Sequence, residues 1–270
     1  MKCAVLGDPI AHSLSPVLHL AGYAALGLDW EYDACRVPSG GLPDFLASLD
    51  DSWRGLSLTM PLKREALALS DEVSERALLV GAANTLVLTD CGVAADNTDL
   101  PGAAAALRER YAGPVTAGTV LGGGATAAST GLALCDLGAT RVTLLVRSAE
   151  RAADTAAAIR RHPTGPEVVV GSLGSDRASG EVLVSTIPVA AQTPDLLARC
   201  ADVAVVFEAL YDPWPTPLAA AAGDRVLVGG LDLLVHQAAV QFELFTGRPA
   251  PLAAMRGAGE AALDARGSLR

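Results

Sequence analysis

A short apolar strand that runs into a glycine-rich turn constrains the fold of this chain more than any other feature. Residues 119–121 form the apolar run, glycines follow at 122–124, a helix-like stretch continues to Leu137, and residues 141–146 form a second apolar strand. The turn fits the pattern G-x-G-x-x-A, in which glycine permits a tight turn and lets phosphate approach the N-terminus of the next helix. We therefore predict a strand, turn, helix, strand unit that binds a dinucleotide.

The end of the second strand of that unit predicts which dinucleotide is bound. Chains that use NAD usually have an acidic residue there, whereas this chain has Arg147 and Ser148, with Arg151 one turn later. Cationic side chains favour a 2′-phosphate and therefore NADP, and a solvated helix start is the alternative interpretation of both arginines. The predicted cofactor-binding residues are Gly122, Gly123, Gly124, Ala125, Thr126, Arg147, Ser148, Arg151, Thr186 and Gly230.

Strands alternate with helices along the whole chain. Ser15, as a cap before a proline, and Pro61 predict two helix starts in the first hundred residues. The apolar runs that predict further strands lie at 3–6, 30–34, 56–58, 168–170, 182–184 and 203–206. Spacings of three and four predict a last amphipathic helix over 231–245. This alternation is typical of α/β proteins with mostly parallel sheets.

The alternation predicts an α/β fold with two α/β domains. We interpret the N-terminal one as a substrate-binding domain with a mostly parallel sheet, over residues 1–101 and completed by C-terminal helices over 231–270. The other, over residues 102–230, is predicted to be a doubly wound, Rossmann-like domain that binds NADP.

Composition argues against several classes of protein. The 270 residues carry a formal net charge of −10, which disfavours nucleic acid and anionic membranes as partners, and the 51% of hydrophobic side chains disfavours disorder. The five cysteines form no C-x-x-C pair, and the four histidines have no metal-ligand spacing. We expect a cytoplasmic protein with reduced, buried cysteines and no metal, either a monomer or a homodimer, whose partner is a small-molecule substrate.

Lysine and asparagine are rare in this chain, so their positions are informative. Lys2, Lys63, Asn84 and Asn97 are the only ones, and the other basic side chains apart from histidine are arginines. An ammonium group can lose its proton when its surroundings are tuned, which a guanidinium cannot. We therefore predict a functional role for Lys63, against the alternative of an ordinary helix lysine, with Thr59 on the same side of a strand-to-helix corner.

Motifs in order along almost the whole chain resemble those of the shikimate dehydrogenases. Besides the glycine turn and the helix that carries Gln237, they are Ser13-Leu14-Ser15-Pro16, Leu58-Thr59-Met60-Pro61-Leu62-Lys63, Gly81-Ala82-Ala83-Asn84-Thr85, Asn97-Thr98-Asp99 and Tyr211-Asp212-Pro213-Trp214-Pro215-Thr216-Pro217. The resemblance implies two α/β domains around a cleft. It also implies reversible NADP-dependent oxidation of shikimate to 3-dehydroshikimate, used by the cell in the reductive direction in aromatic biosynthesis.

The resemblance assigns a role to each matching residue. Ser13 and Ser15 are expected to hold the substrate carboxylate with help from Tyr211. The residues expected to hold ring hydroxyls are Thr59, Lys63, Asn84, Asp99 and Gln237. Lys63 and Asp99 form the predicted catalytic acid–base pair, with Lys63 favoured as the proton acceptor.

Two alternative functions remain open at this point. One is a quinate/shikimate dehydrogenase that uses NAD. The other is a module that senses NADP or shikimate without catalysis, because a fold does not fix a function. Comparing quinate with shikimate, and NAD with NADP, separates these alternatives.

Overall fold

The computed structural model describes residues 1–267 of the chain. The strands are β1 (Lys2–Gly7), β2 (Glu31–Arg36), β3 (Trp53–Leu58), β4 (Glu72–Val73), β5 (Thr85–Thr89), β6 (Gly92–Asp96), β7 (Ala117–Leu121), β8 (Arg141–Val146), β9 (Glu167–Ser172), β10 (Val182–Ser185), β11 (Val205–Glu208) and β12 (Val226–Val228). The helices are α1 (Ser15–Ala25), α2 (Leu42–Ala47), α3 (Glu75–Val80), α4 (Asp99–Arg110), α5 (Ala125–Asp136), α6 (Ala153–Arg160), α7 (Pro194–Arg199), α8 (Pro217–Ala220), α9 (Gly230–Thr246) and α10 (Leu252–Gly267).

The chain divides into two units, each with its own six-stranded sheet. Unit 1 comprises Met1–Thr98 together with the described residues from Leu234 onward, and unit 2 comprises Asp99–Leu233. The predicted α/β fold class is confirmed. The domain boundaries expected from the sequence, at 101/102 and 230/231, stay a prediction.

The sheet of unit 1 has the strand order β2-β1-β3-β5-β6-β4. β1 runs parallel to β2 and β3, and β4 runs parallel to β6, whereas β5 is antiparallel to both of its neighbours. Fully buried leucines, among them Leu6, Leu56 and Leu86, join these strands in one core cluster. The sheet is therefore mostly parallel, as predicted, with β5 as its antiparallel strand.

The helix predicted from Ser15 and Pro16 is present as α1, but the cap is wrong, because Leu14 is the N-cap and Ser15 is the first helical residue. The helix start predicted at Pro61 is also wrong. No α-helix begins at Pro61; a turn occupies 61–64, and a 3₁₀-helix follows at Glu65–Leu69. The reason is visible in the hydrogen bonds, because the Lys63 carbonyl accepts from the Ala83 N–H at 2.7 Å instead of from a following helical turn.

The sheet of unit 2 has the strand order β12-β11-β10-β7-β8-β9, and all its pairs are parallel. This is the strand order of a dinucleotide-binding doubly wound fold, whose ligand lies beyond the carboxyl ends of the central strands. The predicted strands of this unit are all present, with β11 two residues later than expected. Sequence reasoning missed β12, which is only three residues long.

Cysteine burial is mixed. All five cysteines are free thiols in the described part of the chain. Cys3, Cys135 and Cys200 are buried, but Cys91 is exposed, so the expectation of buried cysteines is wrong there. Cys91 lies in the tight connection between β5 and β6, outside the hydrophobic core.

Over residues 1–267, no helix is long and apolar enough to span a membrane.

Candidate active site

The glycine turn of unit 2 is packed at one end and open at the other. Gly122 has φ +117°, a backbone angle that residues with side chains rarely adopt, and a Cβ there would collide with the Thr186 hydroxyl. A Cβ on Gly123 would lie 2.7 Å from the Cβ of Ala152. At Gly124, chain neighbours aside, no heavy atom lies within 4 Å of the Cβ position. The free space therefore lies where the sequence pattern predicts the approach of a pyrophosphate.

Helix α5 begins directly beside this space. Gly124 is its N-cap, and no side chain caps the helix, so the first-turn amides of Ala125 and Thr126 are left to another acceptor. Ala127 is fully buried, as its place in the pattern requires for close helix packing. A helix N-terminus of this kind favours anions through its amides and its dipole.

A pocket of about 270 Å³ opens beside the turn. Seven of the predicted cofactor-binding residues line it, namely Gly122, Gly123, Gly124, Arg147, Ser148, Arg151 and Thr186. Arg147 and Arg151 are exposed, and neither side chain forms an ion pair with any residue of the described chain. Their positive charges are thus available to an anion, which fits a 2′-phosphate.

Gly230, a further predicted cofactor-binding residue, is buried at the start of α9 and does not line this pocket. A Cβ on Gly230 would collide with the backbone of Leu210 and lie 2.7 Å from the backbone nitrogen of Tyr211. Its lack of a side chain is therefore explained by packing, and its cofactor role stays a prediction.

In unit 1, the Asn84 side chain lies at the centre of a buried polar network. Its Oδ1 accepts from the Thr98 N–H at 2.7 Å and from the Thr85 hydroxyl at 2.9 Å. Its Nδ2 donates to Thr98 Oγ1 at 2.9 Å and to Gln237 Oε1 at 3.3 Å. The structure thus brings two predicted substrate-binding residues, Asn84 and Gln237, into contact across 153 positions of sequence.

The network continues through residues that the sequence interpretation missed. Gln241 Nε2 donates to the Asn84 carbonyl and to Thr85 Oγ1, both at 3.0 Å, and its Oε1 accepts from the Ser57 hydroxyl at 2.8 Å. Gln241 lies four residues after Gln237, so both project from one side of α9. That spacing was the signal that could have identified Gln241.

Ser13 and Ser15 lie at the start of α1. Ser15 is 4% exposed and Ser13 is half-buried, and Ser13 Oγ accepts from the Ser15 N–H at 3.3 Å. The Tyr32 hydroxyl donates to Ser57 Oγ. Burial raises the pKa of Tyr32, and its hydrogen bond with the Ser57 hydroxyl opposes that rise. Tyr32 therefore stays neutral and extends the network through Ser57.

Thr59 and Lys63 are half-buried and lie on either side of the turn after β3. The Thr59 N–H donates to the Leu6 carbonyl at 2.9 Å, and the Thr59 carbonyl accepts from the Leu62 N–H at 2.9 Å. The bond from the Ala83 N–H to the Lys63 carbonyl ties this turn to the segment that ends at Asn84. Lys63 is therefore fixed through its backbone beside the Asn84 network.

Asp99 and Tyr211, the remaining predicted residues, belong to unit 2. Asp99 is the first residue of α4 and is 6% exposed, so its carboxylate lies in the first turn, where the helix dipole favours a negative charge. Tyr211 is half-buried and follows β11.

Over residues 1–267, no group of three or more metal-ligating side chains is close enough to hold a metal ion.

Unit 2, with its strand order and open glycine turn, places the chain in the class of dinucleotide-binding α/β proteins with a Rossmann-like domain. Residues 5–86 match the family described as the shikimate dehydrogenase substrate binding domain, and residues 230–258 match the shikimate 5′-dehydrogenase C-terminal domain. A shikimate dehydrogenase (NADP(+)) from Methylobacterium radiotolerans is 38% identical in an alignment of 260 positions that covers 91% of each chain. This chain therefore belongs to the shikimate dehydrogenase family, and the resemblance stated from the sequence is confirmed.

Solved structures agree with that membership. Shikimate dehydrogenase from Mycobacterium tuberculosis superposes with a TM-score of 0.85 at 43% identity, over 97% of this chain and 99% of that one. Shikimate 5-dehydrogenase from Thermus thermophilus, solved in complex with NADP(H) and shikimate, superposes with a TM-score of 0.84 at 31% identity, over the same shares of the two chains. The similarity covers both units of the fold.

Proposed function

We propose that this chain catalyses the reversible oxidation of shikimate to 3-dehydroshikimate with NADP, and that its reductive direction serves aromatic biosynthesis. The observation that carries the proposal is the similarity over almost the whole chain to the Thermus thermophilus enzyme, which binds both NADP(H) and shikimate. The open glycine turn and the unpaired arginines of unit 2 support NADP as the cofactor. The Asn84 network of unit 1 supports a ligand with several hydroxyl groups.

Unit 2 is assigned the cofactor. The free space at Gly124 admits the pyrophosphate, and the first-turn amides of α5 donate to it. Arg147 and Arg151 pair with the 2′-phosphate, and Ser148 adds a hydroxyl on the same wall of the pocket. NADP supplies the hydride acceptor or donor when bound.

Unit 1 is assigned the substrate. The hydroxyls of Ser13 and Ser15 hold the shikimate carboxylate. Asn84 and Gln237 are fixed in orientation by their mutual hydrogen bond. Gln237 Nε2 donates one N–H to the Leu234 carbonyl and keeps the other for a ring hydroxyl, whereas Asn84 reaches a ring hydroxyl by exchanging one of its bonds in the network. Because these side chains are held before the substrate arrives, binding costs little side-chain entropy.

Proton transfer is assigned to Lys63. When the ring C–H bond gives its electron pair to the cofactor as hydride, the hydroxyl on the same carbon loses its proton and becomes the ketone. Lys63 is the group assigned to accept that proton and to return it in the reverse direction. Asp99 is assigned as the second member of the acid–base pair.

Reduced-nicotinamide absorbance with purified protein tests the proposal. Four reactions combine shikimate or quinate with NADP or NAD. We expect fast reduction with shikimate and NADP and little in the other three. Activity with quinate and NAD would replace the proposal with the broader quinate/shikimate enzyme. No activity in any reaction, together with measurable binding of NADP or shikimate, would indicate the sensing module.

We also propose a cytoplasmic location, supported by five free thiols, since the cytoplasm keeps cysteines reduced. Sedimentation of the purified chain distinguishes the monomer from the homodimer, both of which the sequence left open.

A further inference from the structure

A carboxylate that the proposed reaction does not use is fully buried at the end of β11. Glu208 is 0% exposed. It accepts hydrogen bonds from Gln192 Nε2 at 2.7 Å, the Thr216 hydroxyl at 2.9 Å and the Leu210 N–H at 3.1 Å. Burial raises the pKa of Glu208, and these donors oppose the rise. No arginine, lysine or histidine of the described chain forms an ion pair with it.

A buried carboxyl group without a cation costs desolvation free energy, so stability alone does not explain Glu208. Its donors indicate another role. Leu210 and Thr216 are the two ends of the segment 210–216, which we call the Tyr211 segment. One carboxyl group therefore binds both ends of the segment that carries Tyr211, Leu210 through Oε1 and Thr216 through Oε2.

The surroundings of the Tyr211 segment reinforce this attachment. The Thr216 hydroxyl oxygen also accepts from the Ala219 N–H at 3.2 Å as the N-cap of α8, which leaves its own hydrogen for Glu208. The Gln192 side chain, bound to Glu208 through its nitrogen, accepts from the Leu218 N–H at 3.0 Å through its oxygen. The first turn of α8 is thus tied to the same cluster.

The Tyr211 segment also packs against Gly230, where a Cβ would collide with the backbone of Leu210. From these contacts we infer that Glu208 is a positioning residue, which fixes the backbone of the Tyr211 segment so that Tyr211 is in place for the substrate carboxylate. The inference deepens the proposed function and rests on it for the identity of the substrate. Glu208 itself touches neither substrate nor cofactor in this role.

The variant Glu208→Gln tests the inference. An amide nitrogen in place of Oε1 faces the Leu210 N–H, and one in place of Oε2 faces Gln192 Nε2, so the cluster that holds the segment loses at least one hydrogen bond in either orientation. We expect KM for shikimate to rise about 10-fold or more, as for one unsatisfied buried hydrogen bond, while KM for NADP changes less than twofold. An unchanged KM for shikimate would overturn the inference.

A double variant tests whether the effect passes through Tyr211. In a Tyr211→Phe background, Glu208→Gln should raise KM for shikimate no further, because the group that Glu208 positions is already absent. Full additivity of the two changes would overturn the inference. Thr216→Val and Thr216→Ser form a matched pair, and only the valine variant should reproduce Glu208→Gln, since serine keeps the hydroxyl donor.

A second readout needs no enzyme activity. The chain has three tryptophans, and Trp214 lies in the Tyr211 segment, whereas Trp30 and Trp53 lie in unit 1. With 5-fluorotryptophan incorporated, Glu208→Gln should shift or broaden the fluorine resonance of Trp214 and leave the other two in place. An unmoved Trp214 resonance would overturn the inference. A shifted Trp214 resonance in a protein whose wild type does not oxidise shikimate would support positioning of the segment and refute the proposed function.

Discussion

The glycine turn of unit 2 and the Asn84 network of unit 1 are both polar, but they are built in opposite ways. The turn is three consecutive glycines, residues 122–124, whose function depends on the absence of side chains, and at Gly124 it faces empty space. The network joins β3, β5, α9 and the segment before α4, and its side chains satisfy one another inside the protein. A local motif thus forms the proposed cofactor site, whereas long-range packing forms the proposed substrate site.

This difference predicts how the two regions respond to substitution. At Gly124, an added side chain meets the bound cofactor and leaves the fold intact. In the network, Asn84 and Gln237 are both proposed substrate contacts and partners of other buried groups, so the loss of either side chain leaves a buried group unsatisfied. Lys63 is intermediate, since its backbone is tied to the network while its side chain is half-buried.

The largest effect is expected from Lys63→Met. Removing the amine removes the proposed proton acceptor but keeps much of the apolar stem, so turnover should fall about 10²- to 10⁴-fold. Thermal unfolding should change little, because the hydrogen bond of Lys63 with Ala83 uses the backbone. Steady-state kinetics at saturating shikimate and NADP measure this effect.

Lys2→Met is the matched control for that experiment, because Lys2 is the only other lysine of the chain and begins β1. Its turnover should equal that of the wild type. If Lys63→Met kept near-normal turnover, proton transfer would have to be reassigned, with Asp99 as the next candidate.

The second effect is on cofactor binding, through Gly124→Thr. Threonine and glycine are comparable at the N-cap, so α5 keeps its start, and the extended backbone of Gly124, φ −94° and ψ −174°, accepts a side chain. The new side chain occupies the space assigned to the pyrophosphate. We expect the affinity for NADP to fall about 10- to 100-fold, as for an overpacked site, with an unchanged melting temperature, by calorimetric titration and thermal unfolding.

Gly122→Ala provides the contrast within the same turn. Its φ of +117° and the collision with Thr186 predict a loss of stability rather than a selective loss of binding. A Gly124→Thr protein that bound NADP normally would show that the pyrophosphate does not lie at this position.

The same difference explains what could be predicted from the sequence. The unit 2 strands before β12 and the glycine turn follow from short apolar runs and local pattern, because each strand is a contiguous buried segment. Asn84 stands out because asparagine is rare in the chain, but the substrate roles of Asn84 and Gln237 were assigned only through the resemblance to the family. Nothing local shows that they meet, because their contact depends on how α9 returns to β5.

The parts that sequence reasoning missed share one property. Gln241, Ser57 and Tyr32 do not stand out in the sequence by residue type. Their importance comes from the hydrogen bonds that they form with distant residues. The helix expected at Pro61 failed for the same reason, because a distant amide takes the Lys63 carbonyl. Long-range hydrogen bonds, rather than propensity, decided each of these positions.

The smallest predicted effect concerns the apolar side of unit 1. His19 is fully buried and stacks on Tyr32, with ring centroids 4.2 Å apart and planes 10° apart. Neither of its ring nitrogens has a hydrogen-bond partner among residues 1–267. Burial lowers the pKa of His19 from 6.5 to about 3. Tyr23 and Tyr32 add no charge nearby, since burial raises the pKa of each.

The sign of the pH dependence follows from proton counting. Between about pH 6.5 and pH 3, the unfolded chain carries a proton on His19 and the folded chain does not, so stability decreases as pH falls, by about 1.4 kcal/mol per unit from this residue. His19→Leu should remove that component of the slope in denaturant unfolding from pH 7 to pH 5. Phe242→Leu, in the same aromatic cluster, should lower stability at every pH and leave the slope as in the wild type. Equal slopes for His19→Leu and the wild type would mean that the folded protein accommodates the imidazolium. The aromatic cluster around His19 would then be as accessible to water as the glycine turn is at Gly124.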